Sequence, residues 1–235
     1  MKLWLFLLIL SASGAGYAQN ASEKIDMSRI PQEKVRSLIE DQFTGNQKQD
    51  FKEVRSTYHK GQDMHGYRFL ESAYYVRENP ERVWQTYQVT SPAESWNGSM
   101  VSFGLLISKW ENTVMYRNDL HYAGIDTGQV FYVNLKILKG LYNLAVGLEI
   151  VNIDSVQRSI TFSYLKGGKS RGEQTIYFVC TRKGYTEIIH RTAFRSNSFL
   201  RDRYLYPYFH RIAINEFHRN MKRCLSEHNK LLVQR

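Results

Sequence analysis

Near the C-terminus, apolar residues recur at three- and four-residue steps: Leu205, Phe209, Ile212, Ala213, Phe217, Met221, Cys224, Leu225 and Leu232. That spacing lays one stripe along a helix running from about Asp202 to about Leu232. At roughly 1.5 Å per residue the helix is about 45 Å long, so its stripe needs an apolar surface of comparable length. The chain before it supplies strands. Phe131, Val133, Leu135 and Ile137 alternate with Tyr132, Asn134 and Lys136, the period of a strand with one face inward. Shorter patterns of the same kind cover Tyr67–Val76, Phe103–Ser108, Thr113–Arg117, Leu144–Ile153, Ser159–Leu165, Gln174–Arg182 and Tyr185–Arg195, with Lys183-Gly184 as a two-residue hairpin turn between the last two. The sheet predicted from this order is one antiparallel meander.

Two helical signals interrupt the strands. Asn79 can cap a helix that Pro80 opens and Glu81 favours electrostatically, with Val83, Trp84 and Tyr87 on one face. A second turn is expected from Pro92 to Trp96. Nearer the N-terminus, Val35, Leu38, Ile39 and Phe43 follow Pro31 at helical spacing, and Phe51, Val54 and Tyr58 suggest another helix over Lys48–Tyr58.

The first residues read differently. Met1 and Lys2 precede an apolar run from Leu3 to Leu10 and small residues ending Gly16-Tyr17-Ala18, the layout of a secretory signal peptide cleaved after Ala18. The run is too short for a membrane span, which takes about 20 apolar residues. The expected organisation is therefore a signal peptide (1–18), an N-terminal helical extension (19–60) and a main domain (61–235), with an exported, periplasmic or secreted location.

Composition adds two points. Sixteen Tyr and 12 Phe suit a sheet-rich protein with large packed or cavity-lining surfaces. The net charge of +10 is uneven: residues 158–235 carry 16 Lys and Arg against 5 Asp and Glu, and residues 1–157 carry 16 against 17. For an exported chain, such a basic third fits an anionic lipid or glycolipid surface, or an ordinary solvated face, better than nucleic acid.

Candidate chemistry centres on the last strand. Charges on Glu187, Arg191 and Arg195 turn that set to water, so Ile188, His190, Thr192 and Phe194 face inward, toward the helix. His190 could orient a ligand oxygen, act as a general acid or base, or be a core histidine hydrogen-bonded to backbone or a tyrosine. Phe209 and Ile212 would face it from the helix. Arg195, Arg201 and Arg203, with Ser196, Asn197 and Ser198, could hold an anionic head group at a pocket mouth. His210 and His218 are two turns apart, about 12 Å, too far to share a metal by themselves, so no metal is expected. Gly167-Gly168-Lys169-Ser170-Arg171-Gly172 is a basic turn rather than a phosphate loop, and no Gly-x-Ser-x-Gly nucleophile motif or cofactor motif occurs. Antiparallel packing of the helix on the last strand would bring Cys224 near Cys180, making a disulfide or two buried thiols the alternatives.

Asn79-Pro80-Glu81-Arg82-Val83-Trp84 resembles the first helix start of the START-like, or SRPBCC, helix-grip superfamily, and the terminal helix completes its order of elements over about residues 65–232. Phe162–Phe178, with Tyr164, Gly167, Gly168, Gly172 and Glu173, also resembles an uncharacterised family within it. The resemblance implies an α+β fold in which a curved antiparallel sheet of about seven strands wraps a long C-terminal helix. The pattern itself holds one strand more, which puts Phe103–Arg117 in question. The superfamily includes lipid carriers, hormone receptors, polyketide cyclases and aromatases, and fold does not choose among them. The readings left open are a carrier of an apolar or amphipathic small molecule, a cyclase- or hydrolase-type enzyme using His190, and a basic module for anionic surfaces.

Overall fold

A computed structural model of the chain describes residues 24–43 and 50–233, with side chains through Glu227. The expected signal peptide, residues 44–49 and the Leu232 side chain lie outside the described residues.

Helix α1 (Glu33–Phe43) precedes strand β1 (Arg68–Val76), helices α2 (Pro80–Val89) and α3 (Pro92–Ser95), and strands β2 (Val101–Ser108), β3 (Thr113–Tyr116), β4 (Gln129–Ile137), β5 (Tyr142–Asp154), β6 (Ser159–Tyr164), β7 (Arg171–Cys180) and β8 (Thr186–Arg195). A π-helical turn, Arg201–Leu205, then leads into α4 (Tyr206–Val233). All strands join one antiparallel sheet in the order β1-β8-β7-β6-β5-β4-β2-β3. That is eight strands, one more than the expected seven, because Phe103–Arg117 contains two real strands, β2 and β3, rather than one misassigned region.

The caps follow the sequence. Asn79 Oδ1 accepts from Arg82 N at 2.9 Å, with Pro80 in the first turn of α2. Ser91 and Glu94 form a reciprocal capping box on α3. On the inner face of the sheet, α2, α3 and α4 close one core in which Val83, Trp84, Tyr87, Phe131, Ile176, Phe178, Phe217 and Met221 meet. The Trp84 and Tyr87 rings pack edge-on to Phe178 at 5.4 and 4.7 Å.

The outer face holds a second core. Ile30, Val35, Ile39, Phe43, Phe51 and Val54 pack on Leu105, Ile107, Val130 and Tyr132. This explains why β2 is buried throughout: each of its faces belongs to a different core. Gly104, at a bulge in β2, lets α1 approach, since a Cβ there would lie 2.9 Å from Val35 Cγ1. Tyr132, which alternates along β4 with the inner-core residues Phe131 and Val133, is fully buried beneath this arm.

Of the helix expected over Lys48–Tyr58, the described part, residues 50–58, is not an α-helix. Asp50 caps a single 3₁₀ turn, Phe51–Glu53. Beyond it the chain is extended, because its backbone is engaged by the end of β6: Thr57 N donates to Tyr164 O at 2.7 Å and Lys166 N to Arg55 O at 2.8 Å.

Candidate functional site: a cavity under the first half of the long helix

Between β4, β5 and the start of α4 lies a cavity of about 750 Å³. Val133, Leu135 and Ile137 of β4 and Leu144, Val146 and Leu148 of β5 form one wall, with Phe209, Ala213 and Ile214 of α4 opposite and Trp96 at the base. Leu135, Leu144 and Val146 are only partly buried, since no side chain fills the space above them. Lower down, Phe217 and Met221 do fill it, and Phe217 lies 4.4 Å from Trp96, ring to ring.

That lower half of α4 is clamped. Glu216 accepts from the backbone of Met100 and Val101, both at 2.8 Å, and from Ser99. Burial pushes its carboxyl pKa up, but these hydrogen bonds outweigh burial and leave it below the usual value. Asn220 Nδ2 donates to Ser95 O and Asn97 O, both at 3.0 Å. Gly98 makes room for the clamp, because a Cβ there would meet the Glu216 carboxyl at 2.1 Å.

A polar chain closes one end of the cavity. Tyr87 Oη lies 2.7 Å from His218 Nδ1, His218 Nε2 lies 2.9 Å from His190 Nδ1, and His190 Nε2 lies 2.9 Å from Gln174 Oε1. Gln174 Nε2 donates to Tyr164 Oη at 2.7 Å, and Tyr164 Oη bonds Tyr206 Oη. Burial pushes the pKa of His190 far down, with His218 and His210 adding to it. Burial likewise takes His218 and His210 down to about 3, so the histidines are neutral at pH 7. Tyr164, Gln174, Tyr206 and His210 line the cavity, with Lys169, Ser170 and Arg201 beside the same end.

The structure divides the residues singled out in the sequence. His190 is buried, but it stands one layer behind the cavity wall, with both ring nitrogens engaged by Gln174 and His218. Ile188 packs in the inner core. Thr192 bonds His210 Nε2 at 2.9 Å, and Phe194 stacks on Tyr206 with ring centres 3.7 Å apart. None of these four β8 residues lines the cavity, because α4 passes directly over β8 and leaves its open space over β4 and β5. Phe209 does line it, as does Arg201, which also donates to Ser196 Oγ at 3.1 Å and to Lys169 O. Ile212 is 36% exposed, one step round the helix from Ala213. Arg195 points away, its guanidinium beside Gly66. Arg203 lies against the rings of Phe199 and Tyr204.

The two cysteines are free. The helix faces the β7–β8 hairpin across a surface hollow, but with Lys222, Leu225 and Ser226. Cys224, one position round the helix, is turned toward α3: burial raises its thiol pKa and the charge of Glu94 adds to that. Among the described residues, no group of three or more His, Cys, Asp or Glu is placed to hold a metal ion.

Gln174, Tyr206, Glu216 and Asn220 were not singled out by sequence reasoning, and Tyr164 entered it only through the resemblance of Phe162–Phe178, with no role in a site. For Tyr164 and Gln174 a signal exists: they share the inward set of β6 and β7 with Phe162, Ile176 and Phe178.

No protein-family model matches the chain, and no curated protein does. Norcoclaurine synthase of Thalictrum flavum, as a point mutant with a transition-state analogue, superposes with a TM-score of 0.51 at 13% identity, covering 69% of this chain and 96% of that one. The chain has the helix-grip fold. Major latex-like protein 151 of Panax ginseng gives a TM-score of 0.48 at 11% identity, covering 66% and 95%. The same Thalictrum enzyme, solved with dopamine and hydroxybenzaldehyde, gives 0.47 at 10%, covering 74% and 98%. These neighbours belong to the START-like helix-grip superfamily.

Proposed function

We propose that this protein is an exported carrier or receptor for a largely apolar small molecule, held between the sheet and the first half of α4. The observation that carries the reading is the cavity of about 750 Å³, apolar along β4 and β5 and polar at one end. Ligand pockets are commonly about 300–1,000 Å³ with a few convergent polar groups in an apolar lining. Native mass spectrometry of protein purified from its own compartment, with displacement of a fluorescent fatty-acid analogue, tests it. A bound small molecule and competitive displacement are expected. Val146→Trp, which fills the cavity, should lower affinity at least about ten-fold while the fold persists. Undiminished affinity in that variant would place the ligand elsewhere. A cyclase- or hydrolase-type reaction has less support, since His190 has no open nitrogen and no place on the cavity wall.

A second reading, contact with an anionic lipid or glycolipid surface, is favoured by the rim. Leu138, Leu141 and Tyr142 at the β4–β5 turn, and Phe199, Leu200 and Tyr204 before α4, are all more than half exposed. Lys139, Lys169, Arg201 and Arg203 stand among them. Exposed apolar groups set among cations suit the interface of an anionic bilayer. Leu138 and Lys139 also adopt positive φ values of 51° and 57°, a conformation that non-glycine residues rarely take. Binding to vesicles containing phosphatidylglycerol should fall steeply between about 50 and 500 mM salt. Salt-independent binding would sink this reading.

A further inference from the structure

The polar chain behind the cavity has a direction, and that direction decides what the cavity wall offers a ligand. Tyr87 lies at the buried end, and among the described residues its hydroxyl has one partner, His218 Nδ1. If that nitrogen carried a proton, the Tyr87 hydroxyl proton would be buried without an acceptor. His218 Nδ1 therefore accepts, and the single proton of the neutral ring sits on Nε2, where it is donated to His190 Nδ1. His190 must then carry its own proton on Nε2 and give it to Gln174 Oε1. This leaves the Gln174 amide nitrogen to donate to Tyr164 Oη, as observed.

The remaining protons can be counted at the cavity end. Tyr164 and Tyr206 bring two hydroxyl protons, and Tyr164 Oη already accepts from the amide. One proton makes the bond between the two hydroxyls. The other has no protein acceptor among the described residues, and both rings line the cavity. With the opposite chain polarity both tyrosine protons would be consumed, and the wall would offer only lone pairs. A carboxamide does not pass a proton along unless it becomes an imidic acid, so Gln174 makes the chain an orienting device and not a proton conductor.

We propose that the Tyr164–Tyr206 pair is a hydrogen-bond donor site that selects, among apolar ligands, those bearing a carbonyl oxygen such as a ketone, enone or quinone. The inference rests on the cavity being the ligand site. His218, His190 and Gln174 are positioning residues that set the donor polarity. Polar groups fixed in an apolar pocket discriminate in this way because a ligand lacking the matching atom leaves the donor unpaired.

Fluorene and 9-fluorenone, nearly identical in shape, test it. Wild-type protein should bind fluorenone about five-fold more tightly than fluorene, the effect of one neutral hydrogen bond, and the bound carbonyl stretch should lie below its value in alkane. In Gln174→Glu the carboxylate accepts from both sides and consumes both tyrosine protons. The ratio of the two affinities, both measured in that variant, should then fall to about one, and the carbonyl stretch should return toward its alkane value. Equal wild-type affinities with an unshifted stretch, or a preference that survives in Gln174→Glu, would overturn the donor site and leave the cavity reading standing. Failure of both ligands to bind would overturn both. If Gln174→Glu does not fold, ¹⁵N NMR of wild-type protein decides: His190 and His218 should both be Nε2–H tautomers, and an Nδ1–H form of either overturns the assignment.

Discussion

The two halves of α4 do different work with similar residues. From Asn215 to Leu225 the buried residues are Glu216, Phe217, His218, Asn220, Met221, Cys224 and Leu225, and the water face is polar, with Asn215, Arg219, Lys222 and Arg223. From Tyr206 to Ile214 only Ala213 and Ile214 are fully buried, Tyr206, Phe209 and His210 are half-buried along the cavity, and Tyr208 is 63% exposed. The clamped half meets α2 and α3, whose side chains complete the core. The other half touches the sheet along β8, with Tyr206 on Phe194 and His210 on Thr192, and stands off from β4 and β5, where the space is left. A helix held firmly at one end can bridge a cavity at the other, because the fixed half already supplies the packing that its ordering requires.

The sharpest way to break this contrast is Glu216→Ala. It strands the buried donors of Ser99, Met100 and Val101, and the expected loss is about 3–5 kcal/mol in chemical denaturation. A loss under about 1 kcal/mol would mean that the helix is held by apolar packing alone. Next, one substitution can be made in both halves. Phe217→Ala should cost about 3–4 kcal/mol, whereas Phe209→Ala, which enlarges space already present, should cost about 1 kcal/mol. Equal costs would remove the distinction between the halves.

The pH dependence sharpens the contrast further. His190, His210 and His218 have folded pKa values below their unfolded ones, so the unfolded chain binds protons first and stability falls as the pH drops below about 6.5. Each contributes a slope of about 1.4 kcal/mol per pH unit, and for His218 this continues until its folded value of about 3. Glu216 is also lowered on folding, so its contribution is complete above the ordinary glutamate pKa of about 4.3 and is lost as the pH falls through the folded value. Glu216→Gln should therefore lose only the part of the acid limb below about pH 4.3. The smallest effect is expected at the rim: Leu141→Asp should change stability by less than about 0.5 kcal/mol while weakening binding to anionic vesicles. Unchanged vesicle binding would take Leu141 out of the surface contact.

Much of the fold was legible in the chain. Alternation at Phe131–Ile137, the Asn79-Pro80 start of α2, the Lys183-Gly184 turn and the stripe through Phe217 and Met221 are local signals, each repeated over enough residues to be read. Lys48–Tyr58 misled because three apolar residues at helical spacing weigh less than a neighbouring strand end that engages the backbone. The stripe was read one step wide at Leu205 and Ile212, since a pattern gives the angular position of a face but not where its partner ends.

The candidate site was less legible. The inward face of β8 followed from its charges, and His190 does face inward, but the pocket opens over β4 and β5. Cys224 came to the expected height on the helix and to the wrong side of it. By itself, then, the sequence determined which residues turn inward, where the helices begin and that a long helix must cover a sheet, because these depend on neighbours two to four positions apart. Only the tertiary structure decided where the helix leaves the sheet and which inward residues meet: Tyr87 with His218, His190 with Gln174, Tyr164 with Tyr206. Those pairings join residues 16 to 131 positions apart. They depend on sheet curvature and on the Glu216 clamp, which no local pattern records.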